Sequence, residues 1–308
     1  MLIRQATNRE NAQFQACAGR LALDAFSEYK IAAMFAQRDA IVRLLRDDDP
    51  ETVRLVKEQL ALGGEEWISG LRDLAQMDDQ RVSSHARDVL AEIACQGADE
   101  EFLLLCHFFN DDSDLERACW MLAHTLDPAV DVESFEHRVN QWGRQFLVGI
   151  SGTVSNRQRA QALAEFMADE LCFRGNTDDY YSERNSLLPH VIETRMGIPI
   201  TLAILYRMVA GRAGMKVDGI NLPGHFIARH GEVLFDPFHK GRILTKADCE
   251  EILTRQNLRL RAAHLEAATP RQILLRVLAN LLYVYDLRKD LEKHTRVNAW
   301  IKALSRER

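Results

Sequence analysis

The sequence predicts an α+β fold that is predominantly helical, and three observations carry that expectation. Apolar residues recur at i, i+3, i+4 spacing through both flanking regions, as amphipathic helices require. Between residues 173 and 241 the texture changes to glycines, prolines and short β-type runs. Within that stretch residues 199–214 are apolar almost throughout, Arg207 and Arg212 being the exceptions, which reads as a helix buried on most sides.

The first region, residues 1–108, reads as helix after helix. Ile41, Leu44 and Leu45 form one stripe; Val53, Val56 and Leu60 a second; Ile68, Leu71, Leu74 and Ala75 a third; Val82, Ala86, Val89, Leu90 and Ile93 a fourth. Two acidic turns punctuate them, Asp47-Asp48-Asp49-Pro50 and Asp78-Asp79-Gln80, where an aspartate can accept the orphan N–H groups of the helix that follows. Aligning Asp49 with Asp79, Lys57 with Arg87, Glu58 with Asp88 and Leu60 with Leu90 gives an offset of 30 residues. This resembles a HEAT-type helical repeat, a surface such proteins offer to partners. A plain helical bundle produces the same pattern.

Residues 109–268 hold the central region. It starts helical, with Leu115, Ala118, Cys119, Leu122 and Leu126 on one face and Leu163, Phe166, Met167 and Leu171 on another. The tail, residues 269–308, is again helical. Thr269 is placed to cap a helix whose first residue is Pro270, and Ile273, Leu274, Val277, Leu278, Leu281, Leu282 and Tyr285 form its stripe.

Composition sets the outer limits. No apolar run approaches the ~18–20 residues of a membrane helix, and the first residues carry no apolar leader pattern. A net charge of −6 argues against a broad nucleic-acid surface. Cys17, Cys95, Cys106, Cys119, Cys172 and Cys249 are scattered, with no Cys-x-x-Cys pair. Mostly buried free thiols in a cytoplasmic protein are expected, and no metal or cofactor site.

The chemistry-bearing residues lie between 178 and 244. Pro199 suits the first turn of the buried helix and Gly214 its C-terminal exit. Downstream, a two-residue turn at His230-Gly231 would set Arg229 against Glu232 and His225 against Asp236. Directly opposed residues share a face with Cβ atoms ~4.5–5.5 Å apart, close enough for an imidazole–carboxylate hydrogen bond. A slip of one residue would send the two side chains to opposite faces.

Four segments then occur in order: Tyr180-Tyr181-Ser182-Glu183-Arg184-Asn185-Ser186; Arg195-Met196-Gly197-Ile198-Pro199-Ile200-Thr201-Leu202; Leu222-Pro223-Gly224-His225-Phe226; and Asp236-Pro237-Phe238. Together they resemble the SirB-type branch of the transglutaminase-like superfamily, and residues 275–282 resemble the tetratricopeptide-like tail of SirB-type proteins. The resemblance implies a papain- or transglutaminase-like core and a Cys-His-Asp triad in which His225 and Asp236 take the last two places. The nucleophile would fall at the start of the buried helix. Pro199 and Thr201 stand there, and no cysteine does. Cys172 and Cys249 are the thiols that remain to be placed.

These readings combine into a protein that keeps a His225–Asp236 pair without its thiol, and so acts by binding a peptide or protein partner or by regulation. The alternative is an amide hydrolase or acyl transferase using the pair with another nucleophile or an activated water. The SirB resemblance also implies a link to transcription, though no DNA-reading motif is present. Asn185 and Ser186 are expected to cap the next helix, Tyr181 to lie at the site's core or rim, and Arg195 to pair with Glu193 or Asp236; all four are candidate binding residues. His225 and Asp236 could equally be a purely structural pair.

Overall fold

The computed structural model describes residues 38–306 apart from 64, 151, 153 and 154. Cys17 and the first residues lie outside the described residues. The chain divides into two compact units, Met1–Ala94 and Cys95–Arg308. The division falls inside one helix, ahead of the change at residue 108 read from the sequence, and the tail from 269 onward lies in the same unit as the central region.

In the first unit, residues 38–45 are helical and precede α1 (Pro50–Leu62), α2 (Glu65–Ala75) and the start of α3 (Gln80–Phe108). Asp49 caps α1 as its sequence position suggests, accepting from the backbone N–H of Glu51 and Thr52, with Pro50 in the first turn. Asp79 does the same for Arg81 and Val82. Ile41, Leu45, Leu60, Leu71, Leu74, Val82, Ala86 and Val89 form this unit's core, whereas Leu44, from the same expected stripe, is exposed. Arg46–Asp79 at 2.7 Å and Lys57–Asp88 at 2.6 Å are surface ion pairs, which add little stability beside that core.

The second unit is built around one helix. Its elements are α4 (Leu115–Leu126), α5 (Val132–Gly149), α6 (Asn156–Glu165), α7 (Leu188–Thr194), α8 (Pro199–Arg212), α9 (Lys246–Thr254), α10 (Pro270–Arg288) and α11 (Leu291–Leu304). The strands are β1 (Arg174–Gly175), β2 (Met196–Gly197), β3 (Asp218–Ile220), β4 (Ile227–His230), β5 (Val233–Asp236) and β6 (Arg242–Leu244). The first two pair in parallel, and the last four form an antiparallel sheet in sequence order. Helix α8 is the buried helix the composition requires. All its residues are buried except Arg207, Gly211 and Arg212. It starts at Pro199 and ends where Gly214 takes a φ of +69°.

Strand alternation divides the sheet between two clusters. Ala228 and Phe235 face the main core with α8, while Ile227, Leu234 and Leu244 face a smaller cluster that includes Cys249 of α9. Helix α10 begins at the Thr269 cap, reinforced by Gln272, and buries Ile273, Leu274, Val277, Leu278, Leu281 and Tyr285. No helix of the described residues is long and apolar enough to cross a membrane. Cys106, Cys119 and Cys249 are buried thiols as expected, but Cys172 is exposed.

The β4–β5 turn is not at His230-Gly231. His230 pairs with Val233, so Gly231-Glu232 forms the turn. Gly231 sits at φ +56°, and a glycine first in a two-residue hairpin turn is the arrangement that positive φ favours. The register therefore shifts by two residues from the expected one. A shift of two preserves facing, where a shift of one would have reversed it.

Arg212 anchors the exit of α8. Its guanidinium makes a two-pronged pair with Glu116 of α4 and donates from Nε to Asn140 Oδ1 of α5 at 2.9 Å. The Glu116 hydrogen bonds raise the Arg212 pKa above its ordinary value against the effect of burial. The approach of α5 to α8 depends on Gly143, where an added Cβ would lie 2.1 Å from the Arg212 Cβ. Gly143→Ala is therefore expected to destabilise the protein by about 1–3 kcal/mol, read as a lower urea midpoint with an unchanged slope. An unchanged midpoint would show that the two helices do not meet this closely.

Candidate functional site

Local turn chemistry sets His225 in place. In Leu222-Pro223-Gly224-His225 the His225 N–H donates to the Leu222 carbonyl at 3.0 Å, Pro223 occupies the second position, and Gly224 has φ +76°. Proline followed by a positive-φ glycine is the signature of a type II turn, which delivers His225 to the end of β4. Asp236 ends β5, where Ile227 is its opposite position in the observed register. His225 lies two residues before Ile227 and thus reaches Asp236 diagonally. Nε2 of His225 donates to Oδ2 of Asp236 at 2.7 Å. That bond fixes the neutral ring as the Nε2–H tautomer and leaves the lone pair on Nδ1.

A third residue, absent from the sequence reading, completes the cluster. Asp236 caps a 3-10 turn, Pro237–His239, its Oδ1 accepting from the backbone N–H of Phe238 at 3.0 Å and of His239 at 3.4 Å. In such a turn side chains three apart eclipse. His239 Nδ1 accordingly donates to the same Asp236 Oδ2 at 2.7 Å. The signal was present in Asp236-Pro237-Phe238-His239, but only the 3-10 geometry turns the spacing into a contact. Burial by itself pushes the Asp236 carboxyl up; the hydrogen bonds and charges of the two imidazoles outweigh it and hold the pKa below 3.8.

The expected nucleophile region is closed. Pro199 and Thr201 are buried in the first turn of α8. The Thr201 hydroxyl donates to the Asn185 carbonyl at 2.6 Å and approaches that of Ile198 at 3.2 Å. Exposed Cys172 directs its sulfur toward the carbonyls of Asp169 and Glu170. Cys249 lies buried in the smaller cluster, and burial, with Asp248 and Asp236 nearby, raises its pKa. Among the described residues no thiol or hydroxyl hydrogen-bonds to His225.

Asn185 and Ser186 do not cap α7. They lie in a 3-10 turn, and the cap position is Leu187, which contributes no side-chain bond. Asn185 is fully buried because its amide is committed to the loop before it. It accepts from Asn176 Nδ2 at 2.9 Å and donates to the carbonyls of Asp179 at 2.6 Å and Tyr180 at 3.1 Å. This network fixes the loop that presents Tyr180 and Tyr181. Arg195 pairs with neither Glu193 nor Asp236. It lies over the rings of Trp142 at 4.5 Å and Phe173 at 4.8 Å, and burial lowers its pKa. Its φ of +62° at the end of α7 turns the chain into β2 and aims the side chain at those rings instead of the acids.

A run of aromatic rings extends from the cluster. His225 meets Phe238 edge-on at 6.2 Å, Phe238 meets Tyr180 at 5.9 Å, Tyr180 meets Tyr181 at 5.2 Å, and Tyr181 meets Tyr283 of α10 at 5.6 Å. Tyr180, Tyr181 and Tyr283 are 39%, 53% and 51% exposed. Sequence reasoning placed Tyr181 at the core or rim; it lies on the rim, and Tyr283, a hundred residues away in the chain, sits beside it.

The lowered Asp236 pKa has a consequence for stability. The group's contribution is complete above 3.8 and is lost as pH falls through its lower folded-state value. Asp236→Asn is expected to cost about 1–3 kcal/mol near pH 5. The gap between variant and wild type should narrow as pH drops below 3.8, followed by urea unfolding at stepped pH. A gap that stays constant would show that Asp236 gains nothing from its imidazole partners.

Residues 133–279 match the model of the Transglutaminase-like superfamily. A UPF0162 protein of Xylella fastidiosa is 39% identical over 137 residues, covering 40% of this chain and 48% of the relative. One of Pseudomonas aeruginosa is 33% identical over 176 residues, 56% of this chain and 64% of that one. F-box only protein 21 of Homo sapiens is 30% identical over 137 residues, 41% of this chain and 21% of that protein. The chain thus spans about half to two thirds of the bacterial relatives it matches. No solved structure matches. With its buried helix and its small sheet, the stretch from residue 133 to 279 is similar to a transglutaminase-like superfamily domain and to the corresponding part of UPF0162 proteins.

Proposed function

We propose that this domain binds an extended segment of a protein partner along the aromatic rim beside His225, and that it does not carry out acyl transfer through a thiol. The rim of Tyr180, Tyr181 and Tyr283 carries the proposal. Tyrosines of this kind offer large, stiff contact area with a polar edge, and they dominate binding energy where they occur at interfaces. The Asn185 network and its tie to Thr201 hold the rim in place before any partner arrives, which lowers the ordering cost of binding. The buried proline and the committed Thr201 hydroxyl at the head of α8 support the absence of a covalent route. A SirB-type assignment, a HEAT-like first unit as a second partner surface, and a cytoplasmic setting belong to the same proposal; a nucleic-acid partner does not, given the net charge of −6.

A second reading rests on the Nδ1 lone pair of His225. With Nε2 held by Asp236, that nitrogen is oriented as a general base and could activate a water against an amide. The two readings separate in one set of measurements on the full chain. A panel of fluorescent extended peptides is titrated by polarisation. Tyr181→Ala and Tyr283→Ala are each expected to weaken the best peptide by about 1–2 kcal/mol, some five- to thirtyfold, without its cleavage. Release of amine from the same peptides that disappears in His225→Ala would replace binding with hydrolysis. Affinity unmoved by both tyrosine variants would remove the rim from the function.

A further inference from the structure

The cluster of His225, Asp236 and His239 supplies more than an acid–base pair needs. A carboxylate that orients one imidazole requires one ring. Here two rings converge on a single carboxylate oxygen, each nitrogen 2.7 Å from Oδ2. The three ligand atoms lie within 4.8 Å of one another. We propose that His225 Nε2, Asp236 Oδ2 and His239 Nδ1 bind a divalent first-row transition ion, with zinc(II) as the fitting case.

Each part of the set is suited to that role. Two neutral imidazoles and a carboxylate are the donors that zinc and its neighbours prefer, and their hardness disfavours copper(I). Oδ1 is already occupied by the Phe238 and His239 N–H groups, so the carboxylate is pinned with Oδ2 facing the rings. This is the outer support that ligating carboxylates need. Adjacent ligands around an ion with bonds of ~2.1 Å stand roughly 3.0–3.4 Å apart. The 2.7 Å spacings therefore have to open by a few tenths of an ångström, and the two ring nitrogens, which lie within 4.8 Å of each other, have to settle into the same range by rotation of the side chains.

Binding asks each ring to present a lone pair where it now presents an N–H. A neutral imidazole does this by moving its proton to the other ring nitrogen, with no net proton lost. The side chains are 14% exposed at His225, 4% at Asp236 and 62% at His239, so the cluster is closed toward the sheet and open on the His239 side. An ion entering there would keep positions for water on the open side, and a metal-bound water is more acidic than a free one. The inference uses Asp236 and His239 and does not depend on the tyrosine rim.

The test is calorimetric titration of the chelator-treated full chain with zinc(II), repeated with cobalt(II) to read the ligand field by visible absorption. One ion per chain is expected. His239→Gln and His225→Gln should each weaken binding about 100-fold or more, and imidazole ¹⁵N shifts should report metal at Nε2 of His225 and Nδ1 of His239. His239 is largely exposed, so its variant keeps the fold, which circular dichroism checks. Tyr181→Ala should leave zinc binding unchanged even if it abolishes peptide binding. No heat with the wild type, or equal affinity in folded His239→Gln, overturns the proposal.

Discussion

Helix Pro199–Arg212 has almost no polar side to give to water, and the second unit is arranged to take it out of water. Each large side chain buried on it is worth about 1.5–3 kcal/mol, so a solvent-facing placement is not competitive. Cover therefore comes from several directions: α5 through the Gly143 contact, the sheet through Ala228 and Phe235, and α10 through its own apolar stripe. Of the two charges on the helix, Arg212 stands at its very end and is tied to Glu116. Once this helix is fixed, the short strands around it are fixed as well.

The site inherits its rigidity from that packing through two small polar systems. One runs from Thr201 on the helix to the Asn185 carbonyl and, through the Asn185 amide, to the loop of Tyr180 and Tyr181. The other is the Asp236 carboxylate, whose two oxygens serve different tasks: Oδ1 closes a 3-10 turn, and Oδ2 holds two imidazoles. Neither system needs a nucleophile to be stable.

Much of the scaffold was legible because local rules decided it. The Asp49 and Thr269 caps, Pro199 and Pro270 in first turns, and Gly214 after α8 follow from which orphan N–H and C=O groups a helix end must satisfy. The hairpin turn was misplaced by one residue, since a glycine tolerates either position of a tight turn and pairing across the sheet makes the choice. His225 and Asp236 nevertheless met, because the resulting shift of two preserves the face. Asn185, Ser186 and Arg195 were misread for a different reason. Their polar groups were assigned to a helix cap or to nearby acids, whereas the Asn185 amide is committed to Asn176 and the loop before it, Ser186 is buried in a 3-10 turn, and Arg195 lies over the rings of Trp142 and Phe173.

By itself the sequence determined the helices, the buried character of α8, the pair of His225 and Asp236, and the lack of a cysteine at the head of that helix, since each depends on residue type and short-range spacing. Tertiary structure alone decided that His239 shares the Asp236 oxygen, that Tyr283 joins Tyr181 from a helix near the other end of the chain, and that the Thr201 hydroxyl is spent on a backbone carbonyl. Those contacts are set by how packed elements meet, and no local periodicity encodes the direction in which a side chain finds its partner.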